Sequence, residues 1–120
     1  WDFDAPNIPD AGRDVSAGAI IASALIELSA YASGEYSRIY LDVAEQQLKS
    51  LASSAYRVRK VGDNAGFILM HSTGFMARGS EIDAPLSYAD YYFVEALLRY
   101  KRLLDKKPVV DVIAPMPVNK

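Results

Sequence analysis

One histidine, His71, stands in the short run His71-Ser72-Thr73-Gly74. An imidazole there can hydrogen-bond a hydroxyl or a carboxylate in either protonation state. The bland alternative is a histidine that closes its own loop, and the residues leave both open. Ser72 is adjacent in sequence, but no third group orients the pair, so a nucleophilic triad is not expected. No partner ligands stand at metal-binding spacing around His71, and the chain has no cysteine, which removes thiol catalysis, disulfides and cysteine-ligated metal. Asp2 and Asp4 have the look of paired carboxylates for acid/base work, yet they read better as loop and turn acids. Trp1 stands evenly between stacking on a sugar ring and packing in a core. Arg13 and Asp14 read as a local cap or pair, and Asp90 as an anion favoured by the start of a helix. Tyr88, Tyr91 and Tyr92 read as core, and Glu95 with Arg99 as a local i,i+4 pair.

These residues need elements to position them. Residues 1–13 form an acidic loop broken by Pro6 and Pro9. Asp14 or Ser16 caps a helix that runs to about Ala32. Its apolar positions Ala17, Ile20, Ile21, Ala24, Leu25 and Leu28 fall at helical spacing, and its other face is small rather than polar. A helix of that kind is normally buried, and Ser33-Gly34 ends it. A second helix spans about Glu35 to Ala55, with Leu41, Ala44, Leu48 and Leu51 opposite a wet face, as in an outer amphipathic helix. Residues 56–87 are a long connection in which Phe67-Ile68-Leu69-Met70 is the one candidate strand and residues 71–74 a turn. Gly79, Asp83 and Pro85 prevent a helix there. Such a length without structure is uncommon unless functional. The third helix runs from about Ser87 to Leu104, apolar and aromatic around much of its girth. The last residues, 107–120, form a tail with Pro108, Pro115 and Pro117.

The order is loop, buried helix, outer helix, long loop, buried helix. Short links make neighbouring helices antiparallel, so the two buried helices point the same way. The loops at 1–13 and 56–87 then lie on one face. That is the layout of an α/α toroid. Two nearly all-apolar helices under one cover leave apolar surface that calls for more helices, from a missing N-terminal part or another chain.

With 120 residues, 51% hydrophobic and 23% charged, the composition is globular. The net charge of −2 and the scattering of 13 basic residues argue against nucleic acid. The cluster of Arg99, Lys101, Arg102, Lys106 and Lys107 closes the third helix, where cations suit the macrodipole. No apolar run reaches a membrane span. The start at Trp1, with no initiator Met, suggests a processed or truncated product.

Three stretches resemble a known family. They are Trp1-Asp2-Phe3-Asp4-Ala5-Pro6 with Arg13-Asp14-Val15-Ser16-Ala17; Gly66-Phe67-Ile68-Leu69-Met70-His71-Ser72-Thr73-Gly74; and Tyr88-Ala89-Asp90-Tyr91-Tyr92-Phe93-Val94-Glu95-Ala96-Leu97-Leu98-Arg99. In sequence, order and separation they resemble the C-terminal part of the unsaturated glucuronyl hydrolases, glycoside hydrolase family 88. The resemblance covers about Trp1 to Leu104. It implies an all-α fold, the C-terminal portion of an (α/α)6 barrel over residues 1–106, with residues 107–120 outside it.

The resemblance also implies an activity. Such enzymes act on oligosaccharides left by polysaccharide lyases, hydrating the double bond of a terminal unsaturated uronic acid with an Asp and no cofactor. The family's catalytic acids lie upstream of these motifs, so this chain alone is expected to be inactive. His71 matches a family histidine near the sugar. Ser72 matches the first position of a Ser-x-x-Ser-x-Lys pattern that holds a substrate sulfate in some members. Phe75 and Ala77 stand at the other two positions, which leaves Arg78 as the substitute cation. The expected substrate contacts are therefore His71, Ser72, Trp1 and Arg78. The expected partners are an unsaturated oligosaccharide, the rest of the barrel and a second copy, with no nucleic acid and no membrane. The compartment is bacterial cytoplasm or periplasm. The alternatives are an unsaturated rhamnogalacturonyl hydrolase, with similar chemistry on the same barrel, and a non-catalytic helical interaction module.

Overall fold

A computed structural model describes residue 2 and residues 4–110. Three long helices carry the structure: α1, Val15–Tyr31; α2, Gly34–Leu51; and α3, Ser87–Leu104. Between α2 and α3 lies a small antiparallel hairpin of β1, Ser72–Phe75, and β2, Ser80–Ala84, with short 3-10 turns at Asn64–Gly66 and Met76–Arg78.

The hairpin corrects the expectation for the long connection. Phe67–Met70 is not a strand of the sheet; Leu69 makes only an isolated antiparallel bridge to Arg57. The strands form where a turn was expected, at residues 72–75, and in the segment from Ser80 to Ala84. Gly79, at φ +65, supplies the left-handed residue that brings the chain back.

Helix α1 packs against both α2 and α3, which barely touch each other. The crossing is lined by small side chains. Ala19, Ala22 and Ile26 of α1 meet Ala44, Leu48 and Leu51 of α2 and Ala89, Phe93 and Ala96 of α3, all buried. Alanines at the contact let the helix axes approach closely, and Phe93 and Ile26 fill what remains.

Side-chain contacts fix the helix directions. The start of α1 bonds to residues 71–73 through Asp14 and Val15. The start of α3 bonds to residues 68 and 69 through Asp90. Further along, Ser23 meets Glu95 and Arg99, and Glu27 meets Arg99. Both helices therefore run the same way, and the loops gather at their common N-terminal end.

The burial of α1 and α3 differs from expectation. In α1 the small face is the buried one, while Ile20 and Leu28 are exposed. In α3 Tyr88 and Tyr91, expected in the core, are exposed, Tyr91 to 60%, as are Val94, Leu97 and Leu98, and Tyr92 is half-buried. The physical reason is that α2 covers one side of α1 only. Ile20, Ala24 and Leu28 make a stripe at i, i+4 and i+8, and Tyr91, Val94 and Leu98 make another at i, i+3 and i+7. Residues of both stripes border one groove that also holds Glu27, Glu95 and Arg99.

Glu95 and Arg99 are more than a local pair. The Arg99 guanidinium sits 2.7 Å from Glu27 and 3.6 Å from Glu95, and donates at 2.9 Å to both the carbonyl and the hydroxyl of Ser23. The Ser23 hydroxyl donates to Glu95 at 2.6 Å. This network ties α1 to α3 on the groove floor, so Arg99 does not belong to the solvated basic cluster. Lys101 and Lys107 do, and both pair with Asp105.

Candidate functional site

The loop end is assembled by two carboxylates acting on backbone. Asp14, the N-cap of α1, accepts the Ser16 N–H at 3.0 Å and the Ser16 hydroxyl at 2.6 Å. The same oxygen accepts the Thr73 N–H at 3.2 Å, while the Thr73 hydroxyl donates to the Arg13 carbonyl at 2.9 Å. The His71 carbonyl accepts the Val15 N–H at 3.2 Å. Strand β1 is thereby fastened to the first turn of α1, whose free N–H groups need acceptors.

Asp90 plays the corresponding part at α3. Its two oxygens accept the N–H groups of Ile68 at 2.7 Å and Leu69 at 2.9 Å. The structural reading of Asp90 holds, and the side chain acts as a clamp on the preceding loop. Leu69 is fully buried beneath that clamp.

Above this base lies an open cavity of ≈ 530 Å³. Arg13, Tyr56, His71, Thr73, Ile82 and Asp83 line it. The Arg13 guanidinium donates to the Tyr56 hydroxyl and lies 5.6 Å from the centre of the Tyr56 ring. It does not pair with Asp14; of the expected local cap or pair, the cap is what forms, through Asp14, while Arg13 faces the cavity. Arg13 and Tyr56 also border a second cavity of ≈ 310 Å³ towards Gln47 and Leu51.

His71 borders the larger cavity with its side chain 43% exposed, and its Nδ1 lies 2.5 Å from Asp83 Oδ1. Ser72 points the other way. It is fully buried, and its hydroxyl has no hydrogen-bond partner among the described residues. Arg78 sits in the hairpin turn, its guanidinium 5.2 Å from the centre of the Phe75 ring. Trp1 lies outside the described residues. The structure thus brings His71 to the cavity, sets Ser72 beneath it and leaves Arg78 in the turn. Asp2 and Asp4 behave as turn acids, with Asp2 accepting the Asp4 N–H at 2.9 Å.

Sequence reasoning missed Arg13 as a cavity residue, and also Tyr56, Thr73 and Asp83. By residue type Asp83 signals only a break in helix. Nothing in the sequence around Tyr56 signals that it meets Arg13 across 43 positions. Among the described residues no group of His, Asp and Glu could hold a metal ion.

Set beside known proteins, the chain is 49% identical over 106 residues to an unsaturated glucuronyl hydrolase of Formosa agariphila. That match covers 88% of this chain and 26% of that enzyme. It is 35% identical over 105 residues to the unsaturated glucuronyl hydrolase of Bacillus sp. GL1, covering 85% of this chain and 27% of that one. The chain resembles the C-terminal part of unsaturated glucuronyl hydrolases. It spans about a quarter of the length of these curated relatives. No family model matches it.

Solved structures agree. The crystal structure of an unsaturated glucuronyl hydrolase specific for heparin superposes with a TM-score of 0.81 at 46% identity, over 92% of this chain and 29% of that one. The enzyme from Bacillus sp. GL1 gives 0.77 at 32% identity, over 85% of this chain and 27% of that one. The three helices form the C-terminal portion of an (α/α)6 barrel.

Proposed function

We propose that this chain is the C-terminal part of an enzyme that hydrates the double bond of a terminal unsaturated uronic acid on lyase-generated oligosaccharides. The single observation that carries the reading is the 49% identity to an unsaturated glucuronyl hydrolase, running over 106 residues and all three helices. The geometry supports it. Loops gather at the N-terminal end of the two parallel helices α1 and α3, and a cavity bordered by an imidazole and a guanidinium opens there. Such groups suit the hydroxyls and carboxylate of a uronate sugar.

In this reading the acid that protonates the vinyl ether comes from the preceding part of the barrel. Water adds across the double bond, and the resulting hemiketal opens to release the saccharide. His71 contributes a hydrogen bond to the sugar. Ser72, enclosed beneath β1, acts through the shape of the loop. The 120 residues by themselves carry no turnover.

The test is the loss of the unsaturated uronate absorbance when the full-length protein meets unsaturated disaccharides from glycosaminoglycan lyases. Turnover by the full-length protein, none by the 120-residue chain, and a raised KM in H71Q are the expected results. No hydration of any such disaccharide by the full-length protein would overturn the reading.

A further inference from the structure

The hairpin that His71 leads into has one residue too many on its second strand. Ser72 pairs with Ala84 and Thr73 pairs with Ile82, so one step along β1 answers two along β2. Asp83 is the extra residue. A bulge of this kind bends its strand and re-aims a side chain. Asp83 takes φ +53 and His71 takes φ +68, both in the left-handed region that side-chain-bearing residues adopt at a cost. Glu81 of β2 shares this conformation at φ +53, but it is His71 and Asp83 that meet, Nδ1 of His71 against Oδ1 of Asp83 at 2.5 Å.

We propose that Asp83 is the positioning residue for His71 in sugar binding. This rests on the functional reading above. A carboxylate only accepts, so the imidazole presents its proton on Nδ1 and turns Nε2 away from Asp83. Fixing one ring nitrogen by a carboxylate sets both tautomer and ring plane, as it does for metal-bound histidines. The other charged side chain at this cavity, Arg13, is held on Tyr56, and the nearby Asp14, which borders the smaller cavity, accepts from Ser16 and Thr73. Asp83 is therefore the carboxylate that addresses the ring, and Nε2 is the atom left for a saccharide hydroxyl or carboxylate.

An exposed ion pair ordinarily contributes little, and Asp83 is 70% exposed. The proposal therefore turns on ring orientation and on binding rather than on stability. The experiment uses full-length protein labelled with 15N-histidine, with the His71 ring signals assigned by their loss in H71Q. In wild type the long-range 15N–1H spectrum is expected to show Nδ1 bearing the proton; in D83L the ring shifts towards the Nε2–H form. On unsaturated disaccharides D83L is expected to raise KM about tenfold while kcat moves less than about threefold, the pattern of lost binding. D83N, whose amide oxygen still accepts from Nδ1, recovers most of that loss. In an H71Q background D83L adds less than about twofold, because residues acting as a unit are non-additive. An unchanged ring signature in D83L, or a full D83L effect in the H71Q background, would overturn the proposal. If wild type hydrates no unsaturated uronate, the functional reading falls, and the ring signature still decides whether Asp83 sets the imidazole.

Discussion

Asp90, in the first turn of α3, holds the fully buried Leu69 by its backbone N–H at 2.9 Å, and takes the Ile68 N–H at 2.7 Å with its other oxygen. One side chain thus serves two backbone donors and an N-terminal helix position at once. Asp90→Ala strands both N–H groups, so a cost of about 2–4 kcal/mol is expected from lost charge-assisted bonds. Urea unfolding of the full-length protein measures it. Hydrogen exchange at residues 68 and 69 should rise more than at Ala19, which lies in the helical core. Asp90→Asn, which keeps one acceptor oxygen, is expected to fall between.

The network around Arg99 makes a second prediction. Its guanidinium is shared by Glu27, Glu95 and Ser23, with the three charged side chains at 17%, 33% and 25% exposure for Arg99, Glu27 and Glu95. Arg99→Met leaves two carboxylates facing each other across α1 and α3. Breaking a fully buried pair costs about 3–5 kcal/mol and an exposed one under about 1 kcal/mol. Partial exposure places this change at about 2 kcal/mol. Glu27→Gln in the same chain should return part of the loss, and a double-mutant cycle reads the coupling. Purely additive effects would contradict the network.

Gly18 lies inside α1, where glycine costs helix stability. A Cβ built there stands 3.7 Å from Leu51 Cδ2, ordinary van der Waals contact. Gly18→Ala is therefore expected to stabilise the fold by about 0.5–1 kcal/mol. A fall in the urea midpoint would mean that α1 and α2 approach more closely than this contact implies.

Tyr100 links α3 to α2 by donating to Glu45 at 2.8 Å. That hydrogen bond, then burial, then the Glu45 charge hold the phenol above its ordinary value. A raised value in the folded state means that the protonated form is favoured there. The stability it contributes is complete below the unfolded phenol value of about 10 and is lost as pH rises through the raised folded value. Tyr100→Phe should lower stability at neutral pH and flatten the decline in urea midpoint as pH rises above about 10. An unaltered alkaline slope would assign that decline to other groups.

The helices were legible because their signals are local. The apolar spacing and the turn-rich segment before Ser87 placed α3 at its observed bounds, and Asp14 capped α1 as its residue type predicts. The shared direction of α1 and α3 followed from the order of elements. The hairpin was not legible. Ser72-Thr73-Gly74-Phe75 has turn-like composition, and its pairing with Ser80–Ala84 depends on how Asp14 and Asp90 fasten the preceding backbone. Periodicity also read α1 as buried all round, whereas its small face is buried and Ile20 and Leu28 are exposed, since the two sides mark two different neighbours. At the site, His71 could be found by type alone. Asp83 and Tyr56 could not, because a bulge and a contact across 43 residues leave no trace in spacing.

The exposed stripes Ile20–Ala24–Leu28 and Tyr91–Val94–Leu98 carry the last prediction. Val94 and Leu98 are 51% and 53% exposed on one helix, beside Tyr91 at 60%. Contiguous apolar surface of this kind is normally covered, and in an (α/α)6 barrel further helices are the expected cover. Expressed alone, the 120-residue chain should associate or precipitate, and Val94→Lys with Leu98→Lys should make it more soluble. The same pair placed in the full-length protein should do the opposite. Two lysines forced against packed helices cost several kcal/mol, since a buried unpaired charge has no compensation. Sedimentation of the short chain and urea unfolding of the long one give the two readings. If the lysines leave the full-length protein as stable as before, this face is not covered by the rest of the barrel, and the stripes belong to a surface that meets something else.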